Sequence, residues 1–237
     1  MSNDLTRRGF LSVAGAGAVG ATSAAAAEDN TNTGPISTGP IKIVGIACSF
    51  RKGKGTAQAM EYCLQAAKAV DPKKIEIELI ELAGLTINGA VAAGIELEPG
   101  QRDDFPAVAA KLAEPNVAGM IVGTPVYFSN MSSLCKAFLE RLMVFRKDNF
   151  ALSNTVAGVL AVGGARNGGQ ELAVESVKAS LYAQEMIIVG ESRPTAHYGP
   201  AIWNKKGLKS AADDEIGAKA LANLGRRVAE VAQIVSK

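Results

Sequence analysis

The run Ile41-Lys42-Ile43-Val44-Gly45-Ile46-Ala47-Cys48 is apolar or small at every position but Lys42. A strand of that composition has no face to give to water, so it must be covered on both sides, the condition of a parallel sheet sandwiched by helices. The pattern then repeats. Strands are predicted at 74–82, where Ile75, Ile77 and Leu79 alternate with acids, and at 119–126, 155–162 and 186–189. Between them, helical spacing covers 56–70, 103–112, 132–146 and 170–183, and a long helix at 213–235 closes the chain. The pair Asp103-Asp104 reads as the acidic start of its helix. Parallel neighbours need a crossover, so strand–helix alternation gives an α/β, doubly wound, five-stranded parallel sheet in three layers. The expected strand order is 2-1-3-4-5, with a ligand at the carboxyl ends of strands 1, 3 and 4, where the topology switches. No internal repeat is evident.

Composition removes several functional classes. A net charge of +2 over 237 residues is too weak for nucleic-acid binding or a polybasic membrane surface. Cys48, Cys63 and Cys135 lack paired or metal-ligand spacing and there is one histidine, His197, which argues against a zinc site or a disulfide framework. Cys48 and Cys63 read as small buried hydrophobes, and Cys135 sits on a helix after the third strand, with a redox role only as a minor alternative. His197 reads as a loop hydrogen-bonder rather than a general base. Trp203 is expected either over the site or at a subunit contact.

Residues 1–27 read as a targeting segment. Thr6-Arg7-Arg8-Gly9-Phe10-Leu11 precedes a weakly apolar run ending in Ala24-Ala25-Ala26-Ala27, which resembles a bacterial twin-arginine export signal with an A-x-A cleavage site. So few large apolar residues make a poor membrane anchor, and no stable span is expected. Gly15-Ala16-Gly17-Ala18-Val19-Gly20 copies the G-x-G-x-x-G dinucleotide pattern, but no strand precedes it and no ribose-binding acid follows in a βαβ unit. Residues 28–40, rich in Asn, Thr, Gly and Pro, form a linker to a domain over 41–237.

Three loops at the switch-point strand ends carry the chemistry. The first, Ser49-Phe50-Arg51-Lys52-Gly53-Lys54-Gly55-Thr56, combines two hydroxyls, three cations and two glycines before a helix N-terminus, which suits a phosphate. It lacks the G-x-x-x-x-G-K-[ST] order of a nucleotide triphosphatase. The second, Gly123-Thr124-Pro125-Val126-Tyr127-Phe128-Ser129-Asn130-Met131, sets two aromatics side by side in an aromatic-poor chain, where a planar ligand would lie. The third, Gly163-Gly164-Ala165-Arg166-Asn167-Gly168-Gly169-Gln170-Glu171, lets backbone approach a ligand edge, with Arg166 and Asn167 as donors. Each loop taken alone has a structural reading: a basic turn, packed aromatics, a flexible turn. Together they describe a site for a flat heterocycle bearing a phosphate. Flavin mononucleotide (FMN) fits best, and an adenine nucleotide fits less well without its acid or P-loop.

These loops, with Ser133 to Arg141 and His197-Tyr198-Gly199, resemble the flavodoxin-like NAD(P)H-dependent FMN reductase family, and within it the iron–sulfur flavoprotein branch. The resemblance implies that Ser49, Arg51, Gly53, Gly55 and Thr56 bind the FMN phosphate. It implies that Pro125, Val126, Tyr127, Phe128 and Ser129 lie along the ribityl chain and ring, with Gly163, Gly164, Arg166, Asn167 and Gly168 near the polar edge. It also implies a homo-oligomer, dimer or tetramer. One departure is clear: that branch carries a compact cysteine motif between strands 2 and 3, and Ala83 to Phe105 contains no cysteine. An FMN-only relative is therefore expected.

The expected activity is an oxidoreductase taking a hydride from NAD(P)H to FMN and passing electrons to a second small molecule, in ping-pong order. No acid–base dyad is evident, and the flavin needs none. The export signal is in tension with a cytoplasmic reductant. The alternative is an exported FMN electron-transfer protein reduced by a protein or quinol partner, although such carriers are usually strongly acidic and this chain is near neutral. A non-enzymatic flavin-binding protein is a third reading.

Overall fold

The computed structural model describes residues 39–204 and 214–236. The export segment at 1–27 and residues 28–38 of the linker lie outside the described residues. Six strands form one parallel sheet: β1 (Ile41–Ala47), β2 (Ile75–Glu81), β3 (Val117–Pro125), β4 (Val156–Gly163), β5 (Ile187–Ile188) and β6 (Ala201–Trp203). The order β2-β1-β3-β4-β5 is the one expected. In register, Ile41 pairs with Ile75, Ile43 with Gly119, and Gly123 with Leu160.

The sixth strand is a departure. β5 pairs only with Val156 and Ala157 at the start of β4, which leaves the far end of that edge open. β6 fills it, pairing Ala201, Ile202 and Trp203 with Ala161, Val162 and Gly163. Three residues after Gly199-Pro200 give no periodic signal, so this strand is set by the vacant edge of β4 and not by local pattern.

The helices are α1 (Gly55–Lys68), α2 (Phe105–Leu112), α3 (Ser133–Arg141), α4 (Met143–Lys147), α5 (Gln170–Tyr182) and α6 (Glu215–Val235). The single helix expected over 132–146 divides at Leu142, whose N–H is shared between the carbonyls of Phe138 and Leu139. Strand side chains alternate between two cores. Val44, Ile46, Met120, Val122 and Val159 pack with α2, α3 and α5; Ile43, Ile121 and Leu160 pack with α1 and α6. The two helices of the second layer cross closely, since a Cβ on Gly225 of α6 would overlap the Cys63 carbonyl of α1.

Of the acids before α2, Asp103 serves its N-terminus as expected, its Oδ1 accepting from the Phe105 amide at 3.4 Å, while the Asp104 side chain makes no cap. Asp103 forms a two-pronged ion pair with Arg141, 2.8 Å on each arm, with both side chains buried. Asp104 accepts from the Thr86 amide at 2.7 Å. Both acids thus tether the long β2–α2 connection. The Arg141 hydrogen bond and charge hold the Asp103 carboxyl below the usual carboxylate range.

Candidate functional site

The three loops emerge from strand ends that are locked to one another. The buried hydroxyl of Ser132 donates to the Cys48 carbonyl at 2.7 Å and accepts from the Cys135 amide at 3.1 Å, while the Ser132 amide donates to Thr124 Oγ1 at 3.0 Å. One side chain therefore joins the ends of β1 and β3 to the start of α3. The Val126 amide donates to the Val162 carbonyl at 2.9 Å and the Asn204 amide to the Gly163 carbonyl at 2.8 Å, which extends the frame to β4 and β6.

In the first loop, Ser49 and Thr56 are buried while Arg51, Lys52, Gly53 and Lys54 are exposed. The Arg51 amide donates to Ser49 Oγ at 3.1 Å, closing a tight turn. Helix α1 opens at Gly55 with no side-chain cap and no acid in its first turn. Its first amides are left for an exogenous acceptor. No ion pair engages the three loop cations among the described residues. That combination fits a phosphate: uncapped amides, two hydroxyls and uncommitted positive charge. Gly53 departs from expectation, because its amide donates to Glu81 at the end of β2, at 2.7 Å. The side chain of Asn204 fills the space a Cβ on Gly55 would need, so the residue after β6 borders this loop.

Pro125 ends β3 and is buried, Val126 is half-buried, and Tyr127, Phe128 and Ser129 are exposed. Tyr127 and Asn130 exchange backbone hydrogen bonds of 2.9 and 3.0 Å across a two-residue turn. Its central residues, Phe128 and Ser129, have φ of 49° and 61°. This is the left-handed geometry that Gly and Asn normally supply, here carried by a fully exposed phenylalanine.

Gly163 ends β4 in a buried position, and a Cβ on Gly164 would meet open space. Gln170, buried at the start of α5, organises the third loop: its Oε1 accepts from the Gly168 amide at 2.8 Å and its Nε2 donates to the Ala165 carbonyl at 2.6 Å. Gly168 thus spends its amide inside the protein. Gly169, at φ +95°, abuts Ser129 so closely that a Cβ would lie 2.5 Å from the Ser129 Cα. Glycine is required here on both counts, and the second and third loops touch at this point. Asn167 is exposed with φ of 56°. The Arg166 guanidinium lies over the Trp203 ring, 4.4 Å from its centroid. A cavity of about 390 Å³ opens beside this pair.

Asn204 and Glu81 are the partners of these loops that sequence reasoning missed, and no local signal marks either. Gln170 reads from the sequence as part of the glycine-rich loop, and Trp203 lies against Arg166 of that loop, the first of its two expected places. The cysteines are small apolar fillers: all three are buried, and burial first of all raises the thiols of Cys48 and Cys63 far above their ordinary range. His197 lies in the 189–200 loop, its Nδ1 3.0 Å from Glu191 Oε1.

A doubly wound sheet with a phosphate-suited loop, an aromatic turn and a glycine-rich loop at its switch point defines a nucleotide-cofactor α/β protein. Residues 41–200 match the NADPH-dependent FMN reductase family, and the chain belongs to that family. It is an FMN-binding oxidoreductase. An iron–sulfur flavoprotein of Methanocaldococcus jannaschii is 34% identical over 200 residues, 83% of this chain and 100% of that one. An iron–sulfur flavoprotein of Methanosarcina thermophila is 29% identical over 83% of this chain and 98% of its own. Among solved structures, the apo form of an NADH:FMN oxidoreductase superposes with a TM-score of 0.58 at 24% identity, covering 80% of this chain and 89% of that one, a likeness of fold. No helix among the described residues is long and apolar enough to cross a membrane. No cluster of three or more His, Cys, Asp or Glu suited to a metal occurs among them, and three cysteines in the whole chain fall short of a four-cysteine cluster.

Proposed function

We propose that this chain takes reducing equivalents from NAD(P)H into bound FMN and delivers them to a second small molecule at the same cleft, in ping-pong order. The uncapped N-terminus of α1 carries this reading, flanked by buried Ser49 and Thr56 and by cations that make no ion pair among the described residues. In it, Ser49, Arg51, Gly55 and Thr56 hold the phosphate. Tyr127 and Phe128 flank the ring, and Gly163, Gly164 and Asn167 present backbone and amide donors to its polar edge. FMN when bound supplies the hydride and electron chemistry. The protein's part is to bind, to orient and to leave one face accessible. Gly53 contributes its left-handed turn, at φ +63°, rather than its amide. The family description and the names of the similar flavoenzymes support a nicotinamide reductant. We place the mature protein outside the cytoplasm on the strength of Arg7-Arg8.

That location favours one other reading, a flavoprotein reduced by a protein or quinol partner where nicotinamides are absent. Anaerobic addition of NADPH or NADH to the FMN-loaded protein separates the two. Bleaching of the flavin absorbance within seconds is expected. A yellow protein that neither nicotinamide bleaches defeats the reductase reading in favour of the partner-reduced carrier.

A further inference from the structure

No residue of the phosphate loop or the aromatic turn lines the cavity of about 390 Å³ beside the glycine-rich loop. It lies between the first turns of α5 and α6 and is lined by Arg166, Leu172, Trp203 and Ile216, with Glu171 and Asp214 at its polar margin. Leu172 and Ile216 are 62% and 69% exposed, two aliphatic side chains at helix starts where a polar residue would be expected. Arg166 stacks on the Trp203 indole and makes no ion pair among the described residues. Asp214 has both oxygens committed, to the Gly217 amide at 3.1 Å and the Trp203 amide at 3.0 Å. Aliphatic walls and a flat guanidinium describe a slot for a planar, electron-rich ring. Gly169 precedes helix α5 and gives it no side-chain cap, so the first-turn amides stand uncapped next to that slot, beside the Glu171 carboxylate of the same turn.

We propose that this cavity seats the adenosine diphosphate half of the nicotinamide dinucleotide. The purine lies between Leu172 and Ile216 against the Arg166 guanidinium, and the pyrophosphate meets the N-terminus of α5. The inference rests on the reductant proposed above. Its volume is at the small end of the roughly 300–1,000 Å³ usual for small-molecule sites, room for one nucleotide half but not a whole dinucleotide. Arg166, Asn167 and Gly169 line the cavity, and Gly169 also touches Ser129 of the aromatic turn. A dinucleotide anchored here by its adenosine therefore has its other end directed along the loop that borders the flavin cleft.

The test uses ADP-ribose, which carries the adenosine and both phosphates but no nicotinamide and undergoes no redox chemistry. Calorimetric titration of the FMN-loaded full chain with ADP-ribose is expected to show one saturable site, competitive with NADPH. Leu172→Asp and Ile216→Asp place an acid in a helix first turn, where it is tolerated or favourable, so both variants should fold. Each is expected to weaken ADP-ribose binding roughly tenfold and to raise KM for NADPH by a similar factor, with kcat and FMN affinity unchanged. A flavin that NADPH bleaches in a protein that does not bind ADP-ribose overturns the proposal and leaves the reductase reading standing. Loss of FMN from the variants also overturns it, since the cavity then belongs to the flavin. ADP-ribose binding that both variants weaken, in a protein whose flavin no nicotinamide bleaches, upholds the nucleotide site and removes the reductase reading instead.

Discussion

The backbone amide of Gly53 donates to the carboxylate of Glu81 at 2.7 Å, which puts a fixed negative charge against the loop proposed to take a phosphate. A dianion arriving at Ser49, Gly55 and Thr56 meets that charge as repulsion, partly screened because the loop is exposed. Glu81→Gln keeps an acceptor for the Gly53 amide and removes the charge. FMN should bind more tightly by about 1 kcal/mol, roughly fivefold in Kd. Fluorescence titration of the apoprotein measures this, and an unchanged or weaker Kd would show that the phosphate does not sense Glu81.

Phe128 combines full exposure with a left-handed backbone. The side chain buries nothing, so its removal costs no core packing, whereas asparagine adopts this conformation readily. Phe128→Asn should stabilise the protein by about 1 kcal/mol, a Tm increase of roughly 2–4 °C for a domain of this size. FMN binding should weaken at the same time. A variant both less stable and unimpaired in FMN binding would contradict the role assigned to this turn.

The Asp103–Arg141 pair predicts an acid-side loss of stability. The folded-state pKa of Asp103 lies below its ordinary value of 3.8, chiefly through the Arg141 hydrogen bond. The contribution is therefore complete above that value and is lost as pH falls through the lower, folded value. Asp103→Asn leaves the buried guanidinium, 5% exposed, without its counter-charge and should cost about 3–5 kcal/mol at neutral pH. Chemical denaturation from pH 3 to 7 should show a shallower acid dependence in the variant. Parallel profiles would place the acid sensitivity elsewhere.

Gly225 of α6 faces the Cys63 carbonyl of α1 with no room for a methyl group. Because the obstruction is backbone, neither partner can rotate away. Gly225→Ala should separate the two helices and destabilise the protein by about 3 kcal/mol, a Tm loss of roughly 6–12 °C. A loss below one degree would mean that the helices slide past each other freely.

Export through Arg7-Arg8 is testable by fractionation. Arg7-Arg8→Lys-Lys should strand the protein in the cytoplasm of a bacterial host that carries the twin-arginine system. Undiminished recovery outside the cytoplasm refutes that address.

The strands were legible because burial on both faces of a parallel sheet leaves an unbroken apolar run, as in Ile41 to Cys48 and Gly119 to Val126. The three loops were legible by position, since the switch point follows from the order of elements. Long-range pairings were not. Nothing near Asp103 announces Arg141, 38 positions away: the acid pair signals the helix that follows it and not its long-range partners. Likewise the partners of Gly53, Arg166 and Gly55 (Glu81, Trp203 and Asn204) come from strand ends brought together only by the finished sheet. β6 was invisible because its three residues owe their conformation to the edge they complete.

That edge also bears on how the protein behaves in a crowded solution. One after the other along β4, two strands of two and three residues present no long row of free amides and carbonyls. A strand of another chain finds too little unpaired backbone there to extend the sheet, and the 189–200 loop turns the chain aside between them. The same interruption that carries Trp203 and Asn204 to the site thus guards this flank against end-on growth into aggregates.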